Sequence, residues 1–76
     1  MDIQEFVKNF SAQFDDIDVS GFSIETRFRN IENWSSLTAL SIISMVDEEY
    51  GVSIKGDDIR NSQTIGDLFN IVKSKL

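Results

Sequence analysis

Apolar residues in the first fourteen positions recur at spacings of three and four: Ile3, Phe6, Val7, Phe10 and Phe14. That period puts them on one stripe and predicts an amphipathic helix over about residues 2–14, its stripe turned to a core. Asp2 is placed to cap it, with Glu5 completing a capping box. A second helix is expected from Ser35 or Ser36 to Tyr50, stopped by Gly51. On it Ala39, Ile42, Ile43, Val46 and Tyr50 fall on the core arc, while Leu37, Leu40, Ser41, Ser44, Asp47 and Glu48 lie away from it. A last helix opens at Thr64 as N-cap, with Asp67 favourable to the dipole, and buries Ile65, Leu68, Phe69, Val72 and Leu76. Lys73 and Lys75 suit its carbonyl end.

Two stretches keep no long period. Residues 15–35 begin with Asp15, Asp16 and Asp18, and the chain breaks again at Gly21. The scattered Ile17, Val19, Phe22, Ile24, Phe28 and Ile31 predict a loop strapped across the helices, each anchor filling a gap. Ile24–Phe28 has no evident partner strand, so the reading is all-helical. The aspartates lack the glycine and terminal glutamate of a calcium loop and read as a solvated turn. After Gly51, the β-branched stretch Val52–Lys55 ends at Gly56, and a short turn of helix is expected over Asp57–Asn61.

Length and composition narrow the chemistry. Seventy-six residues fit one domain, 1–76, with a modest core. The absence of cysteine excludes disulfides, thiolate metal sites and cysteine nucleophiles, and the absence of histidine removes every Ser-His arrangement. So small a domain has little room for a pocket that retunes a carboxyl group. No catalytic residue and no metal ligand set is expected, and the chain reads as a non-enzyme. A net charge of −6 disfavours nucleic acid and anionic lipid and favours basic protein surfaces. The first ten residues lack a signal-peptide pattern and no stretch is long enough to span a bilayer. A cytoplasmic monomer is expected.

One constellation carries function. Ser35 and Ser36 sit where the second helix begins, and on local chemistry both are explained as caps. The wider stretch Trp34-Ser35-Ser36-Leu37-Thr38-Ala39-Leu40, continuing through Glu48-Glu49-Tyr50-Gly51 to Ile54, resembles the acyl carrier protein family. That family's motif is Asp-Ser-Leu at the start of an acidic helix, and Thr64-Ile65-Gly66-Asp67-Leu68 is similar to its fourth-helix opening. The resemblance runs over nearly the whole chain and departs at Ser35, where the family normally has aspartate.

The resemblance implies an acyl-carrier-like four-helix bundle of three long helices and one short, with a long first loop. It implies that Ser36 receives 4′-phosphopantetheine from coenzyme A through a phosphopantetheinyl transferase, with Ser35 as the helix cap. The arm would carry acyl intermediates as thioesters for enzymes of fatty acid, polyketide or related biosynthesis. Those enzymes would dock through basic patches on Leu37, Leu40, Ser41, Ser44, Asp47 and Glu48. Asp57 and Asp58 either extend that surface or cap the short helix. An attached chain would retreat into a pocket lined by some of Phe28, Ile43, Val46, Ile54, Leu68 and Phe69. A peptidyl or aminoacyl carrier of the same fold shares this chemistry, and an unmodified helical interaction module is the alternative from another class.

Overall fold

Asp2 is extended and its Oδ1 accepts the Gln4 N–H at 2.9 Å, which starts α1 at Ile3–Ser11 in the computed structural model. The structure describes residues 2–15 and 17–76, so Asp16 lies outside the described residues. The cap is therefore made as expected, but no return bond from Glu5 closes a box among the described hydrogen bonds. α1 ends three residues before Phe14, which continues the stripe from a turn. Phe6 and Phe10 are fully buried, and Ile3, Val7 and Phe14 pack half-buried against them.

Helix α2, Ser36–Tyr50, has the bounds the caps predict. Gly51 terminates it at φ 66°, a left-handed conformation that costs glycine little, and its N–H donates to the Asp47 carbonyl at 3.0 Å. Ile42 and Val46 are buried, and Ala39, Ile43 and Tyr50 pack partly buried beside them. Met45 is also buried, an adjacent core position that the arc did not include. Val52 and Ile54 follow as two buried anchors in the irregular segment before the next helix.

The short helix α3, Gly56–Arg60, starts one residue earlier than expected. Asp58 Oδ2 accepts the Lys55 N–H at 2.9 Å, so this carboxylate serves the helix start. Helix α4, Ile65–Ser74, opens on a full capping box: Thr64 Oγ1 accepts the Asp67 N–H, and Asp67 Oδ2 accepts the Thr64 N–H. Ile65, Leu68, Phe69 and Val72 fill the core from this helix. Leu76 does not join them: the helix ends at Ser74, beyond which the stripe leaves the core, and Leu76 is two-thirds exposed.

The long connection straps across the bundle. Phe28 is its fully buried anchor, in a 3-10 turn over Phe28–Asn30, and Phe22 and Ile31 pack half-buried on the core. Ile24, expected as an anchor, is half exposed because its main chain and not its side chain makes the contact. The N–H groups of Ile65 and Gly66 donate to the carbonyls of Thr26 and Ile24 at 3.1 and 2.9 Å. Two otherwise unpaired donors of α4 thus hold the loop. Arg27 and Thr64 form an isolated antiparallel bridge at the same place, the nearest approach to a strand pair among the described residues. Among the described residues the result is an all-helical bundle of four α-helices, three long and one short.

Candidate functional site

The start of α2 is built on an aromatic floor. Trp34 lies 5.0 Å from the Phe28 ring and 6.3 Å from Phe14, measured between centroids. Phe14 in turn meets Phe10 and, edge-on, Phe22. These rings fix the chain just before the helix. Asn33 makes the entry possible: it is the one non-glycine among the described residues at positive φ, 71°, a conformation asparagine tolerates better than most. Its carbonyl accepts the Thr38 hydroxyl at 3.4 Å. No hydrophobic pattern marks Asn33; its only trace in the sequence is an asparagine in front of a capping serine.

The two serines are not equivalent. Ser35 is extended (φ −154°, ψ 173°), and its Oγ accepts the Thr38 N–H at 3.3 Å while its carbonyl accepts the Ala39 N–H at 3.0 Å. It is the N-cap. Ser36 is the first helical residue, exposed, and its hydroxyl has no hydrogen-bond partner among the described residues. One hydroxyl is occupied by the helix and its neighbour is free for chemistry.

Ser36 opens onto a cleft of about 390 Å3 between α2 and α3. Trp34, Ala39, Leu40, Ile43 and Ile59 give it apolar walls, with Ser35, Arg29 and Arg60 at polar positions. Arg29 reaches across to the end of α3, donating to the carbonyls of Ile59 at 3.0 Å and Ser62 at 2.6 Å. Its guanidinium also lies 5.2 Å from the Phe28 ring centroid. Arg60 pairs with Asp57 one turn away, both side chains largely exposed. Asp57 therefore serves α3 itself, as Asp58 does. Of the residues expected to line a pocket for cargo, Ile43 lines this cleft. Phe28, Val46, Ile54, Leu68 and Phe69 are instead buried in the core.

The outer face of α2 presents the remaining residues. Leu37 is 76% and Leu40 59% exposed, and Ser41, Ser44, Asp47 and Glu48 are exposed with them. Together with Ser36 they span an arc of about 140°. Its edges face different neighbours: Ser36 and Leu40 border the cleft towards α3, whereas Ser41, Ser44 and Glu48 border a groove against Asn9, Ala12 and Gln13 on the α1 side. Among the described residues no group of three or more potential ligands could hold a metal ion.

The free N-terminal end of α2 suits an anionic group linked to Ser36. The N–H groups of Ser36 and Leu37 have no acceptor among the described residues, and the helix dipole adds positive potential there. The residues present fit a phosphodiester at this hydroxyl. A family model described as a phosphopantetheine attachment site matches residues 5–72, from α1 almost to the end of α4. The chain belongs to this phosphopantetheine-attachment family of carrier domains, whose covalently bound cofactor is 4′-phosphopantetheine.

Proposed function

We propose that Ser36 is the attachment residue and that this carrier domain, residues 1–76, is an acyl carrier protein. The observation that supports it best is the pairing of Ser35 and Ser36: the first hydroxyl caps the helix, and the second is exposed and unengaged at its first turn. The arm, when bound, supplies a terminal thiol that can hold an acyl group as a thioester. The protein's own residues hold and present it. Ser35 fixes the helix start, Trp34 anchors the entry on Phe28, and the N–H groups of Ser36 and Leu37 would hold the phosphodiester.

Histidine and cysteine are absent, which fits a non-enzyme whose reactions belong to its partners. Those partners are a phosphopantetheinyl transferase and enzymes of fatty acid, polyketide or related biosynthesis that load, elongate or transfer the acyl group. Their docking surface is the outer face of α2, comprising Leu37, Leu40, Ser41, Ser44, Asp47 and Glu48. The charge of −6 favours acyl-transferring partners with basic patches. No helix among the described residues is long and apolar enough to cross a membrane. A cytoplasmic monomer is the working assignment.

Incubation with coenzyme A and a broad-specificity transferase, followed by intact mass measurement, tests the attachment. The mass of one arm should appear on the wild type and on Ser35→Ala and be absent from Ser36→Ala. Labelling that persists in Ser36→Ala overturns the assignment. Native protein carrying an aminoacyl thioester would move the cargo to the peptidyl-carrier class.

A further inference from the structure

The charge of this domain is spread unevenly along α2. No acidic residue lies in its first turn, and its carboxylates Asp47, Glu48 and Glu49 stand together at the far end. Eleven residues separate Ser36 from Asp47, about 16 Å along the helix axis. That is about two Debye lengths at physiological salt, so those carboxylates hardly act at the serine. Close to the serine the sign is reversed. No carboxylate lines the cleft beside Ser36 among the described residues, whereas Arg29 and Arg60 both do. Asp57 offsets Arg60, but Arg29 is held by carbonyl oxygens and keeps its full charge. The unpaired N–H groups of the helix add to it. Glu32 is exposed in the turn before the helix and is the nearest carboxylate upstream in sequence, yet it does not line the cleft.

The same short stretch carries Leu37 and Leu40, two of the four large hydrophobic residues left most exposed. They lie within the first turn and a half of α2, about 100° and 40° round the helix from Ser36 in the same sense. A basic enzyme patch brought over the serine would meet a like charge at Arg29 and the positive end of the helix. An apolar patch would bury both leucines and meet no repulsion.

We infer that the transferase surface that seats over Ser36 is apolar and carries no basic patch at the serine. Recognition there is driven by burial of Leu37 and Leu40 and is nearly independent of salt. The inference rests on Ser36 being the attachment residue and adds the kind of partner surface that fits it. Basic partners engage only by extending to Asp47, Glu48 and Glu49, at the opposite end of the helix.

The test compares two phosphopantetheinyl transferases, one with an apolar carrier-binding surface and one with a basic surface, acting on the intact chain with coenzyme A. The apolar-surface enzyme should show a kcat/KM at least about tenfold higher. Its kcat/KM should change less than about twofold between about 0.05 and 0.5 M salt. Leu37→Ser and Leu40→Ser should each lower it by about tenfold with helical circular dichroism unchanged, since both side chains are exposed in the free protein. Glu32→Gln should have no effect, and Ser35→Asp should improve the basic-surface enzyme. Equal or better use by the basic-surface enzyme, with a rate falling steeply in salt, overturns the inference and leaves Ser36 as the attachment residue. A several-fold loss in Glu32→Gln overturns it in the same way. Absence of incorporation by both enzymes removes the inference together with the assignment of Ser36.

Discussion

The main-chain N–H of Gly66 donates to the carbonyl oxygen of Ile24 at 2.9 Å, so the first turn of α4 grips the long connection directly. The approach leaves no room for a side chain: a Cβ at position 66 would stand 2.9 Å from that same oxygen and 3.3 Å from Ile24 Cβ. Alanine has the better helix propensity, by about 1 kcal/mol. The clash is with backbone and forces the loop away, a change that typically costs about 1–3 kcal/mol. Gly66→Ala should therefore destabilise the domain by up to about 2 kcal/mol, read from urea denaturation midpoints.

Arg29 joins the connection to the end of α3 through the Ile59 and Ser62 carbonyls while lying over Phe28. Charged-donor hydrogen bonds contribute about 1.5–3 kcal/mol when buried, and the partial exposure here lowers that. Arg29→Ala should cost about 1–2 kcal/mol in chemical denaturation. Lysine cannot reproduce the forked geometry, so Arg29→Lys should recover less than half of the loss. Trp34 lies in the same cleft and is the chain's single tryptophan, so its emission should shift in both variants.

The Asp67 carboxylate is held below its ordinary pKa chiefly by the N–H groups of Gln63 and Thr64, with Oδ2 accepting at 3.0 and 3.1 Å. A lowered folded-state pKa means that the ionised box contributes fully above the ordinary carboxylate value. The contribution fades as pH falls through the lowered value. Asp18 acts in the same direction through its bonds from Ser20. The thermal midpoint should be flat above about pH 5 and decline on further acidification. Asp67→Asn should decline less steeply over that window; an unchanged slope would place the acid sensitivity elsewhere.

Ser35→Ala removes the acceptor of the Thr38 N–H. N-cap losses run from about 0.5 to 2 kcal/mol, and the 3.3 Å length and exposure of this bond favour the lower end. Ser35→Asp should match or exceed the wild type, because aspartate caps as well and adds a favourable charge at the helix start of about 0.3–1 kcal/mol. Urea midpoints of the three proteins give the ranking.

Glu48 lies at the acidic end of the outer face, bordering the groove with α1. Glu48→Lys should weaken association with a basic partner enzyme and reduce its salt dependence, leaving helical circular dichroism unchanged. Binding measured at two ionic strengths separates this from a change in fold.

The helices were legible because their signals are local. Spacings of three and four place Phe6, Phe10, Ile42, Val46, Leu68 and Val72 inside, and Ser35, Gly51 and Thr64 with Asp67 mark the ends through hydrogen bonds within one turn. Ser36 and Leu37 stood out only through the resemblance of their Ser-Leu pair and its neighbours to a family motif, since local chemistry explains both serines as caps. Ile24 and Leu76 were misread because apolar character says nothing of whether the backbone carries a side chain inward: Ile24 contributes its carbonyl, and Leu76 lies past the end of α4.

By itself, then, the amino-acid sequence determined the four helices, the caps at Asp2, Ser35, Gly51 and Thr64, the absence of cysteine and histidine, and the serine at the head of α2. Each depends on residues within a few positions of one another. The tertiary structure alone decided that Phe28 of the connection is buried in the core, that Ile24 contributes its carbonyl to the start of α4, and that Arg29 reaches Ser62, thirty-three residues away, to wall the cleft beside Ser36. Those outcomes depend on where distant segments meet, and no periodicity along the chain encodes that meeting.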